Sequence, residues 1–183
     1  GFDKSFLAGR AALGLTYFNS RLKDEVFIAY LPPNFTASPQ NATLASERQG
    51  VEASLSARLG EYLRADLAYT YVDAVENGEA EVRRPPHIAS LNLSWRAPGD
   101  RFGLNATLRY NGAQKDLQFT PAGSARVTLS PFTLVNLGAD YRIAERWQIY
   151  GRVENLLAAR YEEVFSFRPA GRSFFAGIRA QVA

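Results

Sequence analysis

The sequence predicts an all-β protein, an antiparallel transmembrane β-barrel with about eight strands in the 183 residues given. Three observations predict it. Apolar and polar residues alternate over separate segments, the apolar positions of those segments carry no charge, and very short connections take turns with long ones. Alternation places successive side chains on opposite faces of a strand, whereas helical spacing explains none of the segments as well.

The alternating segments follow one another along the whole chain, and we interpret each as a strand. In chain order they are Ala11–Phe18, Val51–Leu59, Leu63–Tyr71, Ala89–Arg96, Phe102–Tyr110, Val135–Arg142, Trp147–Glu154 and Ser173–Val182. In the last segment Phe174, Ala176 and Ile178 alternate with Phe175, Gly177 and Arg179. The opening stretch Gly1–Phe6 is compatible with the end of one further strand.

Charge is confined to one face of these strands. The polar positions carry Glu52, Arg58, Arg64, Asp66, Arg96, Arg109, Asp140, Arg142, Arg152, Glu154 and Arg179. Lys or Arg on a lipid-facing position near mid-membrane costs about 2–4 kcal/mol, so a membrane barrel excludes charge from its outer face. A soluble sandwich also keeps charge out of its core, so this pattern alone leaves both architectures open.

The connections decide between the two. Very short turns join the strands at "GEY", "APGD" and "IAE", and the joins between them are long, roughly residues 30–46, 73–86, 111–131 and 157–172. A sandwich mixes connection lengths at both ends, whereas an outer-membrane barrel has short turns on the periplasmic side and long loops outside. The alternation of lengths therefore favours the membrane barrel.

The aromatic residues agree with this interpretation. Tyr62, Trp95, Phe102, Tyr141 and Trp147 lie at the short-turn ends, and Tyr17, Tyr69, Tyr71 and Tyr110 lie toward the long loops. Two such groups are typical of the aromatic girdles at the two membrane interfaces. We therefore expect Leu55, Leu91, Leu108 and Ile178 to face lipid, and the arginine side to face water.

Composition excludes several other classes. A chain that is 46% hydrophobic and 21% charged is not typical of disorder. The net charge of +3, without a run of Lys or Arg, gives no reason to expect a nucleic-acid partner. No run of about 18 apolar residues suggests a membrane helix. Cysteine is absent, and methionine is absent even at position 1, so we expect a processed or truncated chain.

Nothing in the sequence predicts an enzyme, a metal site or a cofactor. His87 is the only histidine, and without cysteine it cannot form a typical zinc site or support a catalytic triad. The acidic residues Asp73, Glu76, Glu79 and Glu81 lack the spacing of a calcium loop and are interpreted as solvated. The arginines of the polar face either select anionic cargo or pair with Glu and Asp across strands, and we favour pairing.

The end of the chain carries a family resemblance. "VENLLAARYEEVFSFRPAGRSFFAGIR" resembles the end of TonB-dependent outer-membrane receptors, with Asn155, Leu156 and Leu157 followed by Tyr161 and a P-x-G-R loop. That loop supplies Pro169, Gly171 and Arg172. "RQGVEASLS" and "RRPPHIASLNLSW" are similar to two earlier strand starts of the family. The closing loop most resembles the cobalamin (vitamin B12) branch, with siderophore receptors next.

The resemblance implies a larger protein. Such receptors form a 22-stranded barrel around an N-terminal plug in the outer membrane of Gram-negative bacteria, and they import scarce iron or haem complexes or cobalamin. The TonB–ExbB–ExbD system drives them through a TonB box, and the barrel-assembly machinery reads a terminal aromatic residue, where this chain has Ala183. We therefore expect residues 1–183 to be a C-terminal barrel segment without the plug, in contact with lipid and lipopolysaccharide.

The predicted ligand surface lies on the long loops. Its candidate residues are Tyr30, Phe35, Glu76, Asn77, Gln114, Phe119, Phe165, Phe167 and Arg168. Two alternatives remain open at this point. One is a self-closed eight-stranded barrel that serves as an anchor or adhesin, in which the last strand pairs with Ala11–Phe18. The other is a soluble, lipocalin-like carrier with its apolar faces turned inward.

Overall fold

The computed structural model describes residues 1–31, 33–34, 36–121 and 123–181, and this part of the chain is built from strands. The strands are β1 (Phe2–Phe6), β2 (Ala11–Leu22), β3 (Val26–Leu31), β4 (Thr36–Asn41), β5 (Ser46–Leu59), β6 (Leu63–Glu76), β7 (Glu79–Ala80), β8 (His87–Arg96), β9 (Phe102–Asn111), β10 (Gln114–Thr120), β11 (Gly123–Leu129), β12 (Phe132–Ala144), β13 (Trp147–Glu154) and β14 (Ser173–Ala180). Among the described residues, no helix has the length and apolar character needed to cross a membrane.

The main sheet is an antiparallel meander. It has ten strands in the order β1-β2-β5-β6-β8-β9-β12-β13-β14, with β7 paired to β6. Two further hairpins, β3–β4 and β10–β11, stand in the first and third long connections. Every segment that alternation predicts as a strand contributes to the main sheet. The final strand was expected to reach Val182, which lies outside the described residues together with Ala183.

The structure contains more strand than alternation predicts. Strand β2 continues to Leu22 against a β5 that already begins at Ser46, and β6 continues to Glu76. The predicted long loops hold β3, β4, β7, β10 and β11. Strand β3 (VFIAYL) is apolar at every position, whereas β4 (TASPQN) and β10 (QKDLQFT) are mostly polar. Backbone pairing therefore forms these strands without the apolar alternation that marks a half-buried strand.

The register collects the apolar positions on one face of the sheet. One row of cross-strand neighbours runs Leu13, Leu55, Leu67, Leu91, Leu108 and Val135. On the same face Phe174 is 71% and Ile178 66% exposed. The described residues therefore do not gather these side chains into the dry centre that a soluble sandwich or an inward-facing carrier requires.

The opposite face carries the charges, and most are paired. Arg64 lies 2.7 Å from Asp66, Arg152 lies 3.2 Å from Glu154, and Arg142 lies 3.0 Å from Asp100 in a short turn. The prediction that these arginines pair with acids is confirmed. The partners, however, lie along the same strand, in a turn or in a loop, rather than directly opposite on the next strand.

One pair reaches across a whole strand. Arg96 on β8 lies 2.7 Å from Asp140 on β12, above the intervening Gly103 of β9. A Cβ atom at Gly103 would lie 2.6 Å from the Asp140 carboxylate and 2.7 Å from the Arg96 guanidinium. The ion pair occupies the space of a side chain at position 103, so a larger residue there would displace the Arg96 and Asp140 side chains.

The sheet does not close on itself. The described residues of β14 pair only with β13, and those of β1 pair only with β2. The pairing of the last strand with Ala11–Phe18, which a self-closed eight-stranded barrel needs, is not formed, because β2 is already flanked by β1 and β5. The described residues form an open sheet rather than a complete barrel, and we call its ten strands the wall.

Candidate outer-loop binding site

Four long connections gather at one end of the wall. We name them L1 (residues 23–45), L2 (77–86), L3 (112–131) and L4 (155–172). Most of the buried apolar side chains of the described chain lie at or beneath this end; they are Val72, Ala74, Leu129, Phe132 and Leu134. The four loops therefore lie over most of the small apolar core of the described chain.

An arginine on the wall joins L1 to L2. The Arg48 guanidinium of β5 lies 2.7 Å from Glu81 of L2 and 3.7 Å from Glu25 of L1. Glu81 also accepts a 2.8 Å hydrogen bond from Arg84. Burial alone would raise the pKa of Glu81, but the hydrogen bonds from Arg84 and Arg48 hold this pKa below its ordinary value.

L2 is joined to L3 by backbone and side chain. The Arg83 amide donates to the Lys115 carbonyl at 2.7 Å, and Val82 and Lys115 form a parallel bridge. The Arg83 guanidinium lies 2.8 Å from the Asp116 carboxylate. Arg126 of L3 donates to the Ala80 carbonyl at 2.6 Å. Arg126 also pairs with Glu79. The acids of L2, which the sequence analysis interprets as solvated, therefore form ion pairs with arginines.

L3 is joined to L4 by two hydrogen bonds. The Phe165 amide donates to Asp116 at 2.6 Å, and the Gln114 side chain donates to the Glu163 carbonyl at 2.8 Å. The Glu163 carboxylate pairs in turn with Arg109 of the wall. Together with the Arg48 and Arg83 contacts, these bonds connect all four loops into one unit, which we call the loop cluster.

The motif residues at the start of L4 have a structural explanation. Asn155 is 5% exposed with φ of 50°, and its side chain exchanges two hydrogen bonds with the Ala159 backbone at 2.8 and 2.9 Å. Tyr161 packs on Phe132 with ring centroids 4.3 Å apart. Burial raises the pKa of the Tyr161 hydroxyl. The Leu156 amide donates to Val135, so these residues anchor L4 to β12.

The second half of that motif is less constrained. Pro169, Gly171 and Arg172 are exposed and lead into β14, and a Cβ at Gly171 would meet nothing within 4 Å. Ser173 donates to the Gly171 carbonyl at 3.2 Å, which shapes the entry to the last strand.

The predicted ligand residues are distributed over the loop cluster. Tyr30, Phe119 and Phe167 project outward, with 66%, 76% and 72% of their surfaces exposed. Asn77 accepts from Thr43, and half-buried Glu76 ends β6. Phe35 lies outside the described residues.

Two of the predicted residues are held within the cluster, and a third lies at its surface. Gln114 is 6% exposed and commits its amide to L4, and Phe165 is bound through its backbone. Arg168 is exposed beside Glu162 at 3.5 Å. The loop cluster therefore brings Gln114 and Phe165 together and leaves the three exposed aromatic side chains and Arg168 available at its surface.

Sequence reasoning missed the residues that hold the cluster together. Asp116, Arg83, Glu81 and Arg126 were not among the candidates, although Asp116 is 0% exposed. Charged residues in polar loops give no periodic signal, so only their three-dimensional partners identify them. Among the described residues, no group of three His, Cys, Asp or Glu side chains is arranged to hold a metal ion.

A second concave feature lies away from the loops. A shallow cavity of about 750 Å³ is lined mainly by the apolar face of β9, β12, β13 and β14, including Leu104, Leu137 and Phe174. Its lining is nearly all apolar, and it belongs to the wall. The loop cluster remains the site with the polar and aromatic groups that recognition requires.

An antiparallel meander with short turns at one end and joined loops at the other defines the wall of an outer-membrane-type receptor barrel. The family model of the TonB dependent receptor-like β-barrel matches residues 1–156. The chain therefore belongs to the TonB-dependent receptor β-barrel family, and the family predicted from the sequence is confirmed.

Curated relatives agree with this membership. The chain is 26% identical over 166 residues to the ferric enterobactin receptor of Pseudomonas aeruginosa, which covers 80% of this chain and 22% of that receptor. It is 29% identical over 140 residues to the vitamin B12 transporter BtuB of Photobacterium profundum, and this match covers 75% of this chain and 22% of that transporter. These relatives are receptors and transporters, and the chain spans less than a quarter of their length.

A solved structure shows the same fold. The ferripyoverdine receptor of the outer membrane of Pseudomonas aeruginosa, bound to ferripyoverdine, superposes with a TM-score of 0.78 at 18% identity. The superposition covers 97% of this chain and 26% of that receptor. The open wall described above therefore has the shape of a segment of a complete receptor barrel.

Proposed function

We propose that this chain is the C-terminal wall segment of an outer-membrane receptor that imports a scarce nutrient, a ferric siderophore, a haem complex or cobalamin. The observation that carries the proposal is the loop cluster: four loops joined into one surface above a wall of this family. Transport is energised by TonB–ExbB–ExbD through a plug and TonB box elsewhere in the protein.

The open edges support a larger barrel. In lipid, each unpaired backbone N–H or C=O costs several kcal/mol, so membrane-spanning strands must pair on both sides. Strands β1 and β14 each have one free edge in the described chain. We infer that further strands of the same receptor pair with both, in a barrel of about 22 strands, the size at which a plug fills the lumen.

The two faces support opposite environments. The apolar row from Leu13 to Val135 suits contact with hydrocarbon and with the lipid part of lipopolysaccharide. Near one expected interface, the rings of Trp95 and Phe102 pack edge to face with their centroids 6.0 Å apart. Arg152 and Arg179 keep charged groups on the other face, which suits a wet lumen. The barrel-assembly machinery is the partner expected to insert such a wall.

The exposed aromatic side chains support recognition of flat or aromatic ligands. Phe119 of L3 and Phe167 of L4 offer large apolar surfaces beside charged groups such as Arg168. Aromatic rings contribute contact area and stacking, and a cation next to them attracts an anionic chelate. These features suit a ferric chelate and a corrin ring alike.

The test uses the complete receptor, purified in detergent, with ferric enterobactin and vitamin B12 as probes. We expect one probe to bind. Phe167→Ala should weaken that binding about tenfold, because it removes an exposed ring that the bound probe would cover. The control Leu7→Ala alters an exposed side chain in the turn at the other end of the wall and leaves the affinity unchanged.

Two results would contradict the proposal. One is a complete receptor that binds neither these probes nor other ferric chelates or haem. The other is uptake by intact cells that continues when TonB is removed.

A further inference from the structure

Asp116 is a charged group that the structure buries completely. Its side chain is 0% exposed, and its carboxylate accepts from the amides of Leu117 at 2.8 Å and Phe165 at 2.6 Å. The Arg83 guanidinium donates a third hydrogen bond at 2.8 Å. A buried carboxylate is tolerated only when it is paired and hydrogen-bonded, and here both conditions are met.

The three donors come from three different loops. Leu117 belongs to L3, Arg83 to L2 and Phe165 to L4, which lies 49 residues further along the chain than Asp116. No other carboxylate of the described chain accepts hydrogen bonds from three of the four loops. The backbone bond from Arg83 to Lys115 and the bond from Gln114 to Glu163 lie on either side of it.

The three hydrogen bonds depend on the negative charge of the Asp116 carboxylate as well as on the shape of its side chain. Burial alone would raise the pKa of Asp116, yet donation by Phe165, Leu117 and Arg83 holds this pKa below its ordinary value. All three partners are donors, so an amide in place of the carboxylate would turn one N–H toward another N–H. An isosteric Asp116→Asn change therefore disrupts the site without creating a cavity.

We propose that Asp116 is the positioning residue of the loop cluster, whose buried carboxylate clasps L2 and L4 onto L3. The clasp fixes Phe165 directly, and through it holds the exposed Phe167 and Arg168 at the mouth of the receptor. The part of this proposal that concerns ligand rests on the proposed function. The part that concerns loop order stands on the hydrogen bonds alone.

The experiment compares hydrogen exchange in the complete receptor and its Asp116→Asn variant in detergent. The variant loses the hydrogen bond from the Phe165 amide to the charged carboxylate. L4 peptides containing Phe165 should therefore exchange their amide hydrogens at least about tenfold faster than in the wild-type receptor. The main-sheet peptides and the unfolding temperature should change little. Unchanged exchange of L4 in the folded variant would overturn the clasp.

Asp100→Asn is the matched control. Asp100 also pairs with an arginine, but it is 59% exposed in a short turn at the opposite end, and its φ of 55° suits asparagine equally well. It should leave L4 exchange unchanged. If Asp116→Asn does not assemble, Arg83→Gln removes one donor and keeps the carboxylate, and L2 exchange should rise several-fold. Unchanged L2 exchange in that variant would overturn the clasp.

A binding arm separates the two proposals. With the probe that the wild-type receptor binds, Asp116→Asn should weaken affinity about tenfold, mainly through slower association, because L4 must be ordered during binding. Equal affinity in a variant whose L4 is loosened would overturn the positioning role. A wild-type receptor that binds no probe contradicts the proposed function, while faster L4 exchange in the variant still supports the clasp.

Discussion

At the scale of single residues, glycines show where the wall cannot accept a side chain. A Cβ at Gly50 would lie 2.1 Å from the backbone carbonyl oxygen of Tyr71 and 2.7 Å from the Phe18 ring. A Cβ at Gly177 would lie 2.6 Å from the Tyr150 ring, which covers that glycine. The aromatic rings fill the missing side-chain positions, so these glycines are packing sites rather than flexible points.

The Gly50 contact gives a stability prediction. Gly50→Ala should destabilise the complete receptor by about 1–3 kcal/mol, because a backbone oxygen cannot move aside as the end of a side chain can. Guanidinium unfolding in detergent measures this. Gly138→Ala is the matched control, since its nearest neighbour would be 3.8 Å away. Equal unfolding midpoints for the two variants would contradict this prediction, because they would show that the strands at Gly50 and Tyr71 separate enough to accept a methyl group at no cost in stability.

The residue scale also shows a limit of sequence reasoning. Asp116 stands in the polar stretch "QKDLQFT", where a charge is expected to be solvated. Its burial depends on Arg83 and Phe165, which are distant in sequence. Tyr161 and Asn155 were identified by their motif, but the reason for them, anchoring L4 to β12, required coordinates.

At the scale of elements, the strands of the main sheet were predictable and the loops were not. Alternation located the ends of strands such as β8 and β9 to within two residues, because one face must be apolar throughout. It missed the β3–β4 and β10–β11 hairpins, because β3 is apolar at every position and β4 and β10 are mostly polar. Pro39 in β4 is compatible with a two-stranded hairpin, because each strand there has a free edge.

The loop cluster should respond to acid before the wall does. The pKa values of Glu81 and Asp116 are both lowered in the folded protein. Their charged forms therefore stabilise the cluster above the ordinary carboxyl range near pH 4, and this stabilisation is lost as the pH falls through the lowered values. Acidification should free L2 and L4 while the main sheet persists.

Spin labelling measures this loosening. Residues 1–183 contain no cysteine, so Phe167→Cys gives a single label in L4 once any cysteine elsewhere in the complete receptor is replaced by serine. Its mobility in the complete receptor should stay constant from neutral pH to about pH 5 and rise below about pH 4. The control is a label at Leu7→Cys in a short turn, which should show no transition. A transition centred near neutral pH would indicate that other groups control the loops.

At the scale of the whole molecule, the proposed receptor segment has an open sheet, so we expect it to depend on further strands for stability. Strands β1 and β14 each leave a row of backbone groups unpaired on one side. Such edges are costly in lipid and promote association between chains in water. Fragment and receptor therefore differ in stability for a reason that no local contact reveals.

Expression of residues 1–183 alone tests this dependence. We expect the segment to form no heat-modifiable monomer in gels, in contrast to the complete receptor, and to associate through its free edges. The complete receptor, purified in the same detergent, is the control. A protease-resistant monomer of the segment would show that the sheet closes without further strands.

The sequence by itself determined the strands, their two faces and the family, because lipid and water impose a period of two that local composition records. The order of motifs along the chain predicted the family without coordinates, and the family match over residues 1–156 confirms it. Only the tertiary structure decided that the sheet is open and that Asp116 joins three loops. Those features depend on contacts between residues far apart in the chain, and charged loops leave no periodic record of their partners.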